Sequence, residues 1–184
     1  MTGIVTYVWI AILLSWVSFA VLGHFSDAQM AALAGLVIGV GVMLGFRETI
    51  AIRGLVAVLE PVGVVLPLLA LRHMVSGFGL PSTPFSTAEL LVFLLVYVAF
   101  LAAFMGVIPG DVYRWGYAPL PVGAMVLVLC VYGAITGNLA IPVIAVAAQL
   151  LWVLGWGSSN WFDHILHATL VPVVIVVLAM RLIG

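Results

Sequence analysis

Long apolar runs, each separated from the next by a few polar, Gly or Pro residues, follow one another near 4–23, 29–46, 54–72, 87–107, 118–136, 139–156 and 161–182. A bilayer core about 30 Å thick takes about 20 apolar residues per spanning helix, so each run is long enough, or nearly so, to cross it. Backbone groups in hydrocarbon must pair within their own segment, which makes helix the expected state of every run. The pattern predicts an all-α fold: a polytopic membrane helix bundle of seven transmembrane helices, forming a single integral membrane domain over residues 1–184. The sixth run is short and carries Pro142 and Gln149. If it is re-entrant, the count becomes six and the last helix reverses. The first run lacks a basic n-region and a small-residue cleavage site, so it reads as a helix and not as a signal peptide.

The punctuation supports these boundaries. Ser26-Asp27-Ala28-Gln29 and Ser86-Thr87-Ala88-Glu89 both fit the capping-box pattern that starts a helix. Pro109-Gly110, Pro119 and Pro121 bracket a turn, and Gly137-Asn138 makes a tight one. In the second run Gly35 and Gly39, then Gly41 and Gly45, recur at the spacing that lets another helix approach closely.

Composition narrows the function classes. The chain is 66% hydrophobic and 6% charged, with a formal net charge of −1, which leaves no basic field for nucleic acid. All five basic residues are Arg, so a Schiff-base lysine, and with it a retinal linkage, is excluded. Cys130 is the single cysteine, so there is no intrachain disulfide, CxxC pair or CxxCH haem attachment. Arg47, Arg53 and Arg114 fall in loops on the side of the N-terminus, and Arg72 and Arg181 at opposite ends. The positive-inside rule therefore places the N-terminus in the cytoplasm, in a plasma-membrane protein surrounded by lipid.

An ionisable side chain within a span costs roughly 2.5–3.5 kcal/mol, so each one needs a partner or a purpose. The run Asn160-Trp161-Phe162-Asp163-His164-Ile165-Leu166-His167 concentrates them. On a continuous helix Asn160, Asp163, His164 and His167 would share an arc of about 100°, facing the bundle interior. There neighbouring side chains can share a proton or a metal ion. Equally, Asn160 can cap the helix with Asp163 in its first turn. Glu60 lies about 9–11 Å below its helix start, a depth matching that of His167. The next residue, Pro61, bends its helix.

Seven short spans with a histidine-bearing face at the start of the last resemble the CREST superfamily of membrane hydrolases, which includes alkaline ceramidases and the progestin and adipoQ receptors. The resemblance implies a zinc ion near the cytoplasmic side, held by two histidines four apart in the last helix and by a further histidine, an Asp and a Ser from early helices. Asp163 and His167 stand at that spacing, Asn160 and His164 form a second pair, and Glu60 stands in for the early carboxylate. The second run has neither the serine nor the histidine of the family pattern.

Two readings follow, and a third needs no site. In a zinc-dependent hydrolase of a lipid amide or ester, Glu60, Asp163, His164 and His167 hold the metal, and Glu60 or Asp163 serves as general base. In a small proton- or ion-coupled transporter or channel, the same residues form a relay. The third is a membrane-anchoring subunit of a larger complex, and a homo-oligomer or a partner membrane subunit is compatible with all three.

Overall fold

The computed structural model describes residues 2–59, 63–80 and 82–183. These residues form α1 (Thr2–Leu22), α2 (Ala28–Phe46), α3 (Ile50–Leu59), α4 (Val65–Ser76), α5 (Thr87–Phe104), α6 (Pro119–Thr136), α7 (Ala140–Val153), α8 (Trp161–Ile165) and α9 (Leu170–Ile183). A 3-10 turn, Val112–Tyr117, lies between α5 and α6, and the described residues contain no strand. The chain is all-α, as the apolar runs require. Four helices are long and apolar enough to cross a membrane: Gly3–Leu22, Ala28–Phe46, Thr87–Phe104 and Pro119–Thr136. Val65–Ser76, Ala140–Val153 and Leu170–Ile183 are shorter apolar helices, so the expectation of seven spanning helices is met in part. Large apolar side chains face outward, with Ile50 92% and Leu120 85% exposed, as suits a lipid-facing surface and not a water-facing one.

Two of the expected helices are interrupted. Among the described residues the third run is helical over Ile50–Leu59 and again over Val65–Ser76, with Gly63 and Val64 non-helical. Pro61 has no N–H to give the helix ladder and disfavours helical backbone at the residue before it. Glu60, expected at a depth matching that of His167, lies outside the described residues. The seventh run breaks at Leu166, whose φ of −91° and ψ of 73° leave the helical region, and helix restarts at Leu170. The Thr169 backbone amide donates to His167 Nδ1 at 3.3 Å, a local bond that competes with the helix ladder.

The chain divides into two compact units, Met1–Ser82 and Thr83–Gly184. In the first, α1 and α2 pack closely because Gly35 and Gly39 carry no side chain. A Cβ at Gly35 would lie 2.6 Å from the Ser15 carbonyl oxygen. One at Gly39 would meet Ser15 Oγ and lie 2.6 Å from the Ala11 carbonyl oxygen. Ser15 is 1% exposed but satisfies its hydroxyl on the Ala11 carbonyl at 2.7 Å, so it crosses the interface without an orphaned donor. Gly41 and Gly45 have nothing within 4 Å, so close approach holds for the first glycine pair alone. Ile10, Met43 and Ile52 form a core, with Leu14, Val42 and Leu55 packed around it. The cap of α2 is Asp27, which accepts from the Met30 amide; Ser26, the expected cap one residue earlier, donates back to Leu22.

In the second unit the expected Ser86–Glu89 capping box forms in full. Glu89 also accepts from the Tyr132 hydroxyl at 3.2 Å, tying α5 to α6. Arg181 donates to Thr87 Oγ1 at 3.1 Å and to the Phe85 carbonyl at 2.6 Å, fixing the end of α9 to the start of α5. Gly137, with φ of 70°, closes the turn between α6 and α7 in the left-handed conformation that glycine adopts freely.

Gly39→Ala is expected to destabilise the protein by about 1–3 kcal/mol through forced separation of α1 and α2. Gly41→Ala, made into open space, is expected to change stability by less than about 0.5 kcal/mol. Unfolding of the two variants in detergent micelles measures the difference.

Candidate functional site

The polar residues singled out in 160–167 belong to the segment linking α7 to α9, and this segment is built around Asn160. Asn160 caps α8, its Oδ1 accepting from the Phe162 amide at 2.9 Å. Its Nδ2 donates to the Tyr113 carbonyl at 2.8 Å. One fully buried side chain thus starts a helix and holds the 3-10 turn, 47 residues away, against it. The space it occupies exists because position 116 is glycine: a Cβ there would meet Asn160 Oδ1 and lie 2.6 Å from its Cγ.

Asp163, in the first turn of α8, is half-buried and doubly hydrogen-bonded. Ser158 Oγ donates to its Oδ2 at 2.5 Å, and the Tyr113 hydroxyl lies 3.2 and 3.0 Å from its two oxygens. Ser158 Oγ in turn accepts from the Asn160 amide at 3.1 Å. Burial, the neighbouring Tyr117 hydroxyl and Asp163 together push the Tyr113 hydroxyl well above the usual tyrosine range, so it stays protonated and donates. Phe100, Phe104 and Tyr117 surround the Tyr113 ring at centroid distances of 5.9, 5.6 and 5.5 Å and hold it in place.

His164 is 4% exposed, with Nε2 3.1 Å from the Ser158 carbonyl oxygen. A carbonyl only accepts, so Nε2 carries the proton. Gly157 lies against this ring: a Cβ there would come 2.9 Å from His164 Cε1, and its φ of 98° suits glycine alone.

His167 stands apart from this network. Helix α8 ends at Ile165, so His167 shares no helix face with Asp163 and His164, contrary to the expected 100° arc. Its Nδ1 accepts from the Thr169 amide and from Thr169 Oγ1, the latter at 2.7 Å. The structure thus joins Asn160, Asp163 and His164 through Ser158 and Tyr113 and gives His167 separate partners. Among the described residues no group of three His, Cys, Asp or Glu side chains could hold a metal ion. Glu60, the fourth expected ligand, lies outside those residues.

Ser158 and Tyr113 were absent from the sequence reading. Both sit in polar stretches between apolar runs, but the hydrogen bond from Tyr113 spans 50 residues of chain and has no local signature. Chemically, the arrangement is a carboxylate held by two hydroxyls beside an imidazole. It orders the loops, and the Asp163 carboxylate and both ends of the Asn160 amide already have partners.

Asn160→Ala removes a cap and a long-range hydrogen bond at once and is expected to cost about 2–3 kcal/mol in micelle unfolding, against about 1 kcal/mol for Tyr113→Phe. No protein-family model, curated protein or solved structure matches the chain, so its chemistry rests on the residues themselves.

Proposed function

We propose that the chain is a small integral membrane transporter or channel, coupled to protons or ions, with its N-terminus in the cytoplasm. The observation that carries this reading is that the last apolar run of each unit is interrupted, α3 giving way to α4 in the first and α8 to α9 in the second. Non-helical backbone at membrane depth is tolerated where it is buried in protein or lines a water-filled cavity. Paired interrupted segments in the two halves of a transporter are a sequence-level pointer to its binding region. Each interruption carries an ionisable residue, Glu60 in sequence between α3 and α4, and His167 between α8 and α9. Seven apolar crossings, with α3 and α4 together as the third and α8 and α9 together as the last, keep the alternation of sides that the Arg distribution supports.

The zinc hydrolase implied by the CREST resemblance uses Glu60, Asp163, His164 and His167. It is the less supported reading, because Asp163 is taken by two hydroxyls, His164 Nε2 by a carbonyl and His167 Nδ1 by Thr169. Zinc binding would require these bonds to break. An anchoring subunit would explain the loop-ordering network but not the interrupted helices.

Purified protein in liposomes carrying an internal pH dye should pass protons after a pH jump. Glu60→Gln and His167→Asn should each reduce that flux towards the level of empty liposomes without loss of fold. Elemental analysis should find the protein free of stoichiometric metal. Close to one zinc per chain, with no flux, would overturn the transport reading in favour of the hydrolase.

A further inference from the structure

The loop that leaves α5 encloses a groove of about 380 Å³ within the second unit, near the small end of the range for ligand sites. Its walls include Phe104, Ile108, Val112 and Tyr113, with the Phe104 and Tyr113 rings edge to face at 5.6 Å. Asp111 is the one lining residue that carries a charge at neutral pH. Its Oδ1 accepts the Arg114 backbone amide at 3.2 Å, so Arg114 meets this carboxylate through its main chain. Among the described residues Asp111 forms no ion pair.

Two further features give the groove the same electrostatic sign. Ala103 and Phe104, the last residues of the 18-residue α5, line it, so the negative end of that helix dipole faces the same loop. Phe104 and Tyr113 add aromatic walls, a side-chain type that attracts cations. An anion would meet the carboxylate and the helix end together. A divalent metal would find a single carboxylate among apolar walls, far short of the oxygen ligands it needs. A compact organic cation suits all three: charge for Asp111 and the helix end, apolar substituents for the ring and aliphatic walls.

We propose that this groove binds an organic ammonium group of choline or ethanolamine size, supplied by a phospholipid headgroup or a free amine. The site goes beyond the transport reading and needs neither Glu60 nor His167.

The test uses the full chain purified in a maltoside detergent, which carries no ammonium group, and titrates it with choline chloride at constant ionic strength. The neutral isostere 3,3-dimethylbutan-1-ol serves as the control. Saturable choline binding at least about fivefold tighter than that of the isostere is expected, the size of effect of one partly exposed charge pair. Asp111→Asn should abolish this preference while leaving the loop intact, because Asn still accepts the Arg114 amide. Phe104→Leu should weaken choline binding independently. No saturable choline binding, equal binding of the isostere, or unchanged preference in Asp111→Asn would each overturn the proposal. Nanodiscs separate the two sources. Choline binding that is blocked in phosphatidylcholine but kept in phosphatidylglycerol supports a lipid headgroup, and binding kept in both supports a free amine.

Discussion

Hydrocarbon offers no partner to a peptide group, and the chain is organised by the need to satisfy every backbone N–H and C=O without water. Within the apolar runs the helix ladder does this alone. The difficulty moves to the helix ends, where the first amides and last carbonyls have no intrahelical partner. Several polar side chains meet this need. Asp27, Ser86 with Glu89, Asp111 and Asn160 each accept from backbone amides at the start of a helical segment. Arg181 reaches the Phe85 carbonyl just before α5.

The same constraint explains the network around Asp163. A short segment joining apolar helices has few apolar contacts of its own, and this one is ordered by hydrogen bonds. Asn160 serves two elements at once, and Ser158 both accepts from a backbone amide and donates to Asp163. Glycine supplies the room, at Gly116 beside Asn160 and at Gly157 beside His164. Where the chain packs helix on helix, Gly35 and Gly39 do the equivalent for α1 and α2, replacing side-chain burial with close backbone approach.

Against this background the interrupted runs carry functional weight. Gly63 and Val64 leave the helix before Val65, and after Ile165 the His167 ring accepts the Thr169 amide that would otherwise join the helix ladder. Such breaks persist when the exposed backbone or the side chain at the break has a use. The groove beside Asp111 lies elsewhere, in the loop after α5, and combines a carboxylate, a helix C-terminus and aromatic rings of one electrostatic preference.

The apolar runs by themselves determined the helical class and the membrane-compatible surface, because hydrophobic length and backbone satisfaction are properties of contiguous sequence. Local chemistry likewise determined the Ser86–Glu89 box, the Gly137 turn and the capping role open to Asn160, each a matter of residues within four positions. Periodicity failed at Asn160 to His167, since it assumed an unbroken helix and could not weigh the Thr169 amide bond to His167 against the ladder. Tertiary structure decided which glycines are contacts, Gly35 and Gly39 but not Gly41 and Gly45, because α1 approaches one face of α2. It also decided that Tyr113 and Ser158 converge on Asp163, an encounter of separate loops that chain closure, and no local pattern, brings about.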